Sequence, residues 1–208
     1  ADLYALGISL MEDGARTDGH RRATLRYRDG LILALWAARP WRLRTFAALD
    51  FDTHLQMHGE RAASVVLEVE DVKTTAAQEW PLPAHLVPYL RTYLERYRAC
   101  LPGAERHAGF WPSMKGGRLR EDGLARVLAR HTERAFGTAV HPHAVRYAAA
   151  TSTALAGPRS AGTIMSVLGH ADPSTASDYY VLARSIEAQR KATSALQRTK
   201  AALQSRTS

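Results

Sequence analysis

The sequence lacks the features of disulfide-rich, membrane-spanning and repetitive proteins. It has one cysteine, Cys100, among 208 residues, so no disulfide can form within the chain. It contains neither an internal repeat nor a long uncharged apolar run of the kind that forms a membrane span or a secretory signal. We therefore expect a cytoplasmic protein that does not associate with a membrane and that folds around one core.

The rest of the composition is that of a water-soluble folded domain. Hydrophobic residues make up 46% of the chain and charged residues 23%, which excludes wholesale disorder. Acidic residues are fewer than basic residues, and the resulting formal net charge of +8 mildly favours a polyanionic partner. Because the chain begins with Ala1 and not with methionine, we expect it to be a piece of a longer protein.

Hydrophobic periodicity predicts a mainly α-helical fold with one small antiparallel β-sheet, an α+β class. Three short segments rich in β-forming residues, at 55–57, 65–69 and 79–82, predict the sheet. The polar run 15–22 is predicted to be a loop. Helices are predicted at 2–13, 24–39, 42–49, from 83 onward, and at 121–136, 143–155, 159–168, 173–180 and 184–204.

Four separated segments hold side chains that suit chemistry on a phosphodiester. Arginine guanidinium groups are permanently cationic, two-pronged donors for the oxygens of a phosphate under attack. A tyrosine hydroxyl is a feasible nucleophile, a histidine can act as a general base, and a lysine ammonium can protonate a leaving oxygen. The segments contain Arg42, Lys73, the pair His143 and Arg146, and Leu168-Gly169-His170 followed by Tyr179 and Tyr180.

At these residues, from about 2 to 184, the chain resembles the tyrosine recombinase, or phage integrase, family, whose catalytic domain carries the same motifs in the same order. The resemblance implies a DNA strand transferase that forms a covalent 3′-phosphotyrosyl intermediate without metal, cofactor or ATP. The implied roles are phosphate contacts for Arg42, Arg146 and His170, general acid–base catalysis for His143, proton donation for Lys73, and nucleophilic attack for Tyr179.

The resemblance also implies a domain organisation and partners. Residues 1–183 would form the catalytic domain, and nothing in the chain corresponds to the family's N-terminal core-binding domain. Residues 184–208 would form a helical tail that docks on a neighbouring protomer, or else a frayed basic helix. The expected partner is double-stranded DNA at a specific recombination site, bound by a homotetramer.

Basic residues outside the motifs are candidate DNA contacts. A cluster in the first long helix is either a solvated face or a patch that follows DNA phosphates. The candidates are Arg21, Arg22, Arg26 and Arg28 in this cluster, and Arg190 and Lys191 in the tail. No metal site is expected, because His141 and His143 have no cluster of cysteine or carboxylate residues beside them.

Two other functions remain open. Thr45 stands where the family often has an acidic residue, and Tyr147 stands where a histidine commonly follows the second arginine. One alternative is a catalytically silent DNA-binding module of the same fold, and these departures are its best support. A type IB topoisomerase-like enzyme would share the chemistry but would relax supercoils. Without the other motifs, a surface or helix-capping arginine would be the better interpretation of Arg42.

Overall fold

The computed structural model describes residues 2–17, 20–67 and 77–155. The chain divides into two compact units, 1–146 and 147–208, and the described part of the second unit belongs to the last helix. None of the described helices has the length and apolar character needed to cross a lipid bilayer. The helices predicted at 159–168, 173–180 and 184–204 lie outside the described residues.

The described residues form six α-helices and one three-stranded sheet. The helices are α1 (Leu3–Arg16), α2 (His20–Ala38), α3 (Leu43–Ala48), α4 (Val87–Thr92), α5 (Glu121–Phe136) and α6 (Pro142–Leu155). The strands are β1 (Leu55–Met57), β2 (Ala63–Leu67) and β3 (Gln78–Pro81). The chain continues after α4 through a π-helical turn, Tyr93–Tyr97, and two 3-10 turns, Arg98–Cys100 and Ala104–Arg106.

The sheet is antiparallel in the order β1-β2-β3, which confirms the predicted sheet. Val65 in the central strand pairs with Leu55 on one side and with Trp80 on the other. The second strand begins two residues earlier than predicted. Gly59, in the turn between β1 and β2, has a φ of 108°, a conformation that favours glycine.

Helix α2 forms the centre of the core, and α1 packs directly on its backbone. Residues 31–36 of α2 are at most 1% exposed. Gly7 and Gly30 allow the contact, since a Cβ atom on Gly7 would lie 2.5 Å from the Ala34 amide nitrogen. This close packing holds α2 against α1 as far as Ala34, and the chain passes from the end of α2 to Arg42.

The predicted loop at 15–22 is wrong over most of its length, because α1 continues to Arg16 and α2 already begins at His20. Most residues of this run are polar, but apart from Gly19 none of them is a strong helix breaker, and alanine and arginine are good helix formers. The Thr17 hydroxyl donates to the Asp13 carbonyl at 2.6 Å at the end of α1. Residues 15–16 and 20–22 are thus exposed residues of helix ends and not of a loop.

Candidate active site and nucleic-acid interface

Arg42 lies at the break between α2 and α3. Pro40, two residues earlier, has no amide hydrogen to continue α2. Arg42 is the residue before the first turn of α3, and its carbonyl accepts a hydrogen bond from the Phe46 amide at 2.9 Å. Its half-buried side chain makes no capping hydrogen bond and no ion pair within the described part of the chain. Among these residues, the guanidinium therefore forms no hydrogen bond or ion pair that would stabilise the fold.

Arg146 connects α6 to the same break. Its side chain is buried, with 9% of the residue exposed, and one guanidinium nitrogen, Nη1, donates to the Pro40 carbonyl. The bond joins residues 106 positions apart, one in the second predicted arginine motif and one two positions before Arg42. The structure thus brings the second arginine motif to the segment that leads into Arg42.

Three consecutive carbonyl groups at this break each have their own donor. Arg146 donates to the Pro40 carbonyl, the Trp36 indole donates to the Trp41 carbonyl at 3.0 Å, and the Phe46 amide donates to the Arg42 carbonyl. Only the last is an ordinary helical hydrogen bond. Side chains therefore hold the two peptide groups that lead into Arg42.

Aromatic side chains fill the space beneath α3. The Phe46 ring stacks on Trp36 at 5.2 Å between centroids and on Trp41 at 6.1 Å. Trp41 also meets the Trp80 ring of β3 edge to face at 6.0 Å. Because aromatic rings of this size pack with few alternative arrangements, the segment that carries Arg42 rests on a rigid base.

His143 lies in the first turn of α6, three positions before Arg146, and its side chain is exposed. Residues three apart lie on neighbouring positions of a helix surface, so the two belong to one side of α6. The His143 ring stacks on His141 with centroids 5.4 Å apart. In the described ranges, no group of three or more His, Cys, Asp or Glu side chains is placed to hold a metal ion.

A basic groove of about 1240 Å³ adjoins this region, formed by α3, the 113–120 segment and the first ten residues of α5. Its acidic side chains are Glu121 and Asp122, and Asp122 is paired with Arg126 at 2.7 Å. The excess of cations suits a polyanion. Its exposed basic residues are Arg44, Lys115, Arg118, Arg120, Arg126 and Arg130.

Sequence reasoning missed this groove. Arg44 lies two positions after Arg42, and the other cations are spread over the predicted helix 121–136 and the residues directly before it. The signal that was available is the number of basic residues between 115 and 134. Periodicity alone did not show that they face α3.

A second cleft, of about 650 Å³, holds three of the predicted DNA contacts. Arg21, Arg22 and Arg26 line it together with Arg130 and Arg134 of α5. Arg21 and Arg22 are exposed, and Arg26 lies 3.9 Å from the Asp13 carboxylate. These arginines lie in the first half of α2, whereas Arg42 follows its end, which is roughly 18–26 Å further along the helix at 1.5 Å per residue.

The sequence predicts that Arg28 contacts DNA, but the residue is buried, with only 4% of it exposed. Its Nε and Nη2 atoms bind Asp29 at 3.0 and 2.7 Å, and Nη1 donates to the Pro112 carbonyl at 2.8 Å. Asp29 is also bound by Arg130 and by His131 of α5. Burial opposes ionisation of Asp29, but hydrogen bonds and charges from His131 and Arg28 outweigh it and keep the pKa of this carboxyl below its ordinary value. Arg28 therefore belongs to a buried ionic cluster.

The remaining predicted site residues lie outside the described residues. They are Lys73, His170 and Tyr179 of the catalytic set, and Arg190 and Lys191 of the tail.

Comparison with known proteins gives one family and one fold. The model of the phage integrase family matches residues 18–185. The XerH recombinase in a post-cleavage complex with palindromic difH substrate matches 94% of this chain at a TM-score of 0.68 and 17% identity. The XerH pre-cleavage complex with difH matches 84% of this chain at a TM-score of 0.64 and 17% identity, and XerA recombinase matches 89% at 0.61 and 19% identity.

This chain spans 54%, 48% and 61% of the length of those three structures, respectively. A search of curated protein sequences found no match. The matches confirm the predicted fold class, mainly helical with a small antiparallel sheet. At these identities they concern the fold alone.

Proposed function

The chain belongs to the phage integrase family of tyrosine recombinases, and from this premise we propose that it is a site-specific recombinase that cleaves and rejoins double-stranded DNA. The single observation that best supports the proposal is the hydrogen bond from Arg146 to the Pro40 carbonyl, which links the second arginine to the segment that presents the first. The guanidinium of Arg42 next to it, which no other described side chain engages, is suited to bind a phosphate.

In the proposed reaction the Tyr179 hydroxyl attacks the scissile phosphorus. A bond forms between the tyrosine oxygen and phosphorus, and the bond from phosphorus to the 5′ oxygen breaks. Arg42, Arg146 and His170 stabilise the negative charge that develops on the non-bridging oxygens. His143 takes the tyrosine proton, and Lys73 gives a proton to the leaving 5′ oxygen.

The covalent intermediate accounts for rejoining without an external energy source. The free 5′ hydroxyl of another strand attacks the phosphotyrosyl ester, and the tyrosine leaves with its proton restored. One ester replaces another in each direction, so the free energy of the phosphodiester is retained and ATP hydrolysis is not needed.

The basic groove supports DNA as the substrate. Six exposed cations line it, and Arg44 brings it next to the segment of Arg42. In the XerH structures the recombinase is bound to its difH substrate, and we extend this partner class to our chain as part of the proposal. Acting on DNA places the protein in the cytoplasm with the nucleoid.

The proposed assembly is a homotetramer on DNA. Residues 1–183 act as the catalytic domain, and the tail from 184 docks on a neighbouring protomer. The tail is basic, with Glu187 as its one acidic residue, and its apolar stripe is thin. A helix of this kind gains stability from packing on a second chain.

The decisive experiment is covalent trapping. The protein is incubated with DNA nicked near candidate element ends and is then separated under denaturing conditions. We expect a protein–DNA band that is absent in Tyr179→Phe and kept in Tyr180→Phe, the matched neighbour. Salt-sensitive binding without any band would favour the silent DNA-binding module. Relaxation of supercoils without exchange between two sites would favour the topoisomerase-like function.

A further inference from the structure

The break between α2 and α3 has little regular hydrogen bonding of its own. Pro40 has no amide hydrogen, and the Trp41 amide donates to the Arg39 carbonyl at 2.8 Å in a tight local turn. The two peptide groups before Arg42 therefore depend on side-chain donors. One donor is Arg146, which itself belongs to the proposed site. The other donor is Trp36, for which neither the motifs nor the proposed reaction gives a role.

Trp36 is placed to act only within the protein. It is 0% exposed, and its indole Nε1 donates to the Trp41 carbonyl at 3.0 Å inside the core. Its ring is held in orientation by stacking on Phe46 at an interplanar angle of 18°. Since it lies on the last full turn of α2, it connects the rigid core helix to the residue directly before Arg42.

The contacts around Trp36 form a closed loop. The indole binds the Trp41 carbonyl, the ring rests on Phe46, and the Phe46 amide binds the Arg42 carbonyl. The Phe46 amide thus holds the peptide group after Arg42, and Trp36 holds the one before it, the peptide group between Trp41 and Arg42. A change in its orientation would turn the Cα–Cβ bond of Arg42 and displace the guanidinium at the end of a long side chain.

We propose that Trp36 is a positioning residue for Arg42, and that its indole N–H keeps this guanidinium in the geometry needed for strand cleavage. The inference rests on the proposed function, in which Arg42 contacts the scissile phosphate. Trp36 touches neither DNA nor the reacting atoms. Its effect is on the rate of the chemical step, because misplacement of a catalytic group slows reaction much more than it weakens binding.

Trp111 provides a matched control within the same core. It is 1% exposed, its ring lies 5.2 Å from Phe46, and its indole donates to the Phe46 carbonyl at 3.0 Å. Trp36 and Trp111 therefore make the same kind of buried hydrogen bond to the same part of the fold. Only the bond from Trp36 ends on the peptide that leads into Arg42.

The test compares Trp36→Phe with Trp111→Phe in single-turnover cleavage of nicked DNA at saturating enzyme. We expect Trp36→Phe to slow cleavage by about 10-fold or more, on the scale of a small misplacement of a catalytic group. The Kd for DNA should change by less than about 2-fold, and Trp111→Phe should cleave within about 2-fold of the original rate. Equal slowing by both variants would mean that Trp36 is only a core residue and would overturn the inference.

A double-mutant comparison with Arg42 gives a second test, whose result a loss of stability alone would not produce. If Trp36 acts through Arg42, Trp36→Phe should cause no further decrease in rate in an Arg42→Ala background. Independent decreases that multiply would contradict the inference. Replacement of Trp36 by benzothienylalanine, which keeps the ring shape but lacks the N–H, separates the hydrogen bond from the packing if Trp36→Phe folds poorly.

Amide hydrogen exchange distinguishes failure of this inference from failure of the proposed function. Faster exchange at the Trp41 and Phe46 amides in Trp36→Phe than in Trp111→Phe would support the positioning role, whether or not cleavage is observed. Equal protection in both variants would refute it. If Arg42→Ala cleaves as fast as the original protein, the proposed site is wrong. The exchange result still shows whether Trp36 holds the segment around Arg42 in place.

Discussion

Arg146 donates a hydrogen bond to the carbonyl of Pro40, and the two residues are 106 positions apart in the chain. Pro40 ends one helix and precedes Arg42, whereas Arg146 lies on α6 beside His143. One guanidinium nitrogen is thus used to organise the site. Replacement of the buried Arg146 should therefore change both cleavage and stability, whereas replacement of the half-buried Arg42 should change cleavage alone.

Arg42→Ala should abolish most cleavage without a decrease in stability. Its side chain has no hydrogen bond or ion pair with another described residue, whereas a preorganised donor to a transition state contributes about 10²-fold or more to the rate. Arg146→Ala should lower the cleavage rate and also the free energy of unfolding, by about 1–3 kcal/mol, because the Pro40 carbonyl is left without its charged donor. Cleavage assays and urea unfolding measure both effects. Arg16→Ala, at an exposed residue of α1, is the control, and undiminished cleavage in both site variants would contradict the assignment.

Cations of the basic groove should control the salt dependence of DNA binding. Arg120→Ala or Lys115→Ala should weaken binding similarly for all DNA sequences and reduce the slope of log K against log salt by about one for each DNA phosphate that is no longer neutralised. Fluorescence anisotropy over a range of salt concentrations measures the slope. Arg106→Ala is the matched control, because Arg106 is also an exposed arginine but does not line the groove. An unchanged slope in both groove variants would place the DNA elsewhere.

The buried cluster around Asp29 should make stability depend on pH in acid. The folded protein holds the pKa of Asp29 below the ordinary 3.8, so the charged carboxylate favours folding at pH values above about 4. This contribution disappears as pH falls through the folded-state pKa. Asp29→Asn should remove that part of the pH dependence, and it should cost about 3–5 kcal/mol at neutral pH because Arg28 is left buried without its counter-charge.

Unfolding by urea between pH 3 and pH 7 measures the difference between the Asp29 variant and the original protein. Glu60→Gln serves as the control, since Glu60 is an exposed residue in the turn between β1 and β2. If the Asn variant and the original protein lose stability in parallel as the pH falls, Asp29 does not contribute to the acid dependence.

Gly7→Ala should destabilise the packing of α1 on α2. The new Cβ atom would lie 2.5 Å from the Ala34 amide nitrogen and 2.7 Å from the Gly30 carbonyl, both of which are backbone atoms that cannot move aside separately. We expect a decrease of about 1–3 kcal/mol in the free energy of unfolding, as for other overpacked cores. Gly117→Ala is the control, because nothing lies within 4 Å of its Cβ position. Thermal unfolding compares the two, and equal melting temperatures would show that the helices can separate without cost.

The local pattern of the sequence was sufficient for most of the elements. Leu55–Met57 and Glu121–Phe136 begin and end where β-propensity and helical periodicity predict. The proline that ends α2 is also visible in the sequence, as is the order of the motif residues on which the family resemblance depends. These features depend on neighbours a few positions away, and such interactions are encoded in short stretches of chain.

Long-range packing decided what the local pattern could not. Arg28 follows Arg21 by seven positions, which puts both on nearly the same face of α2, yet Arg21 is exposed and Arg28 is covered at Pro112 and bound to Asp29. Periodicity gives the face of a helix but not how far along it a neighbouring segment reaches. The bond between Arg146 and Pro40 and the groove between α3 and α5 have the same origin, because they join residues whose proximity exists only after the chain has folded.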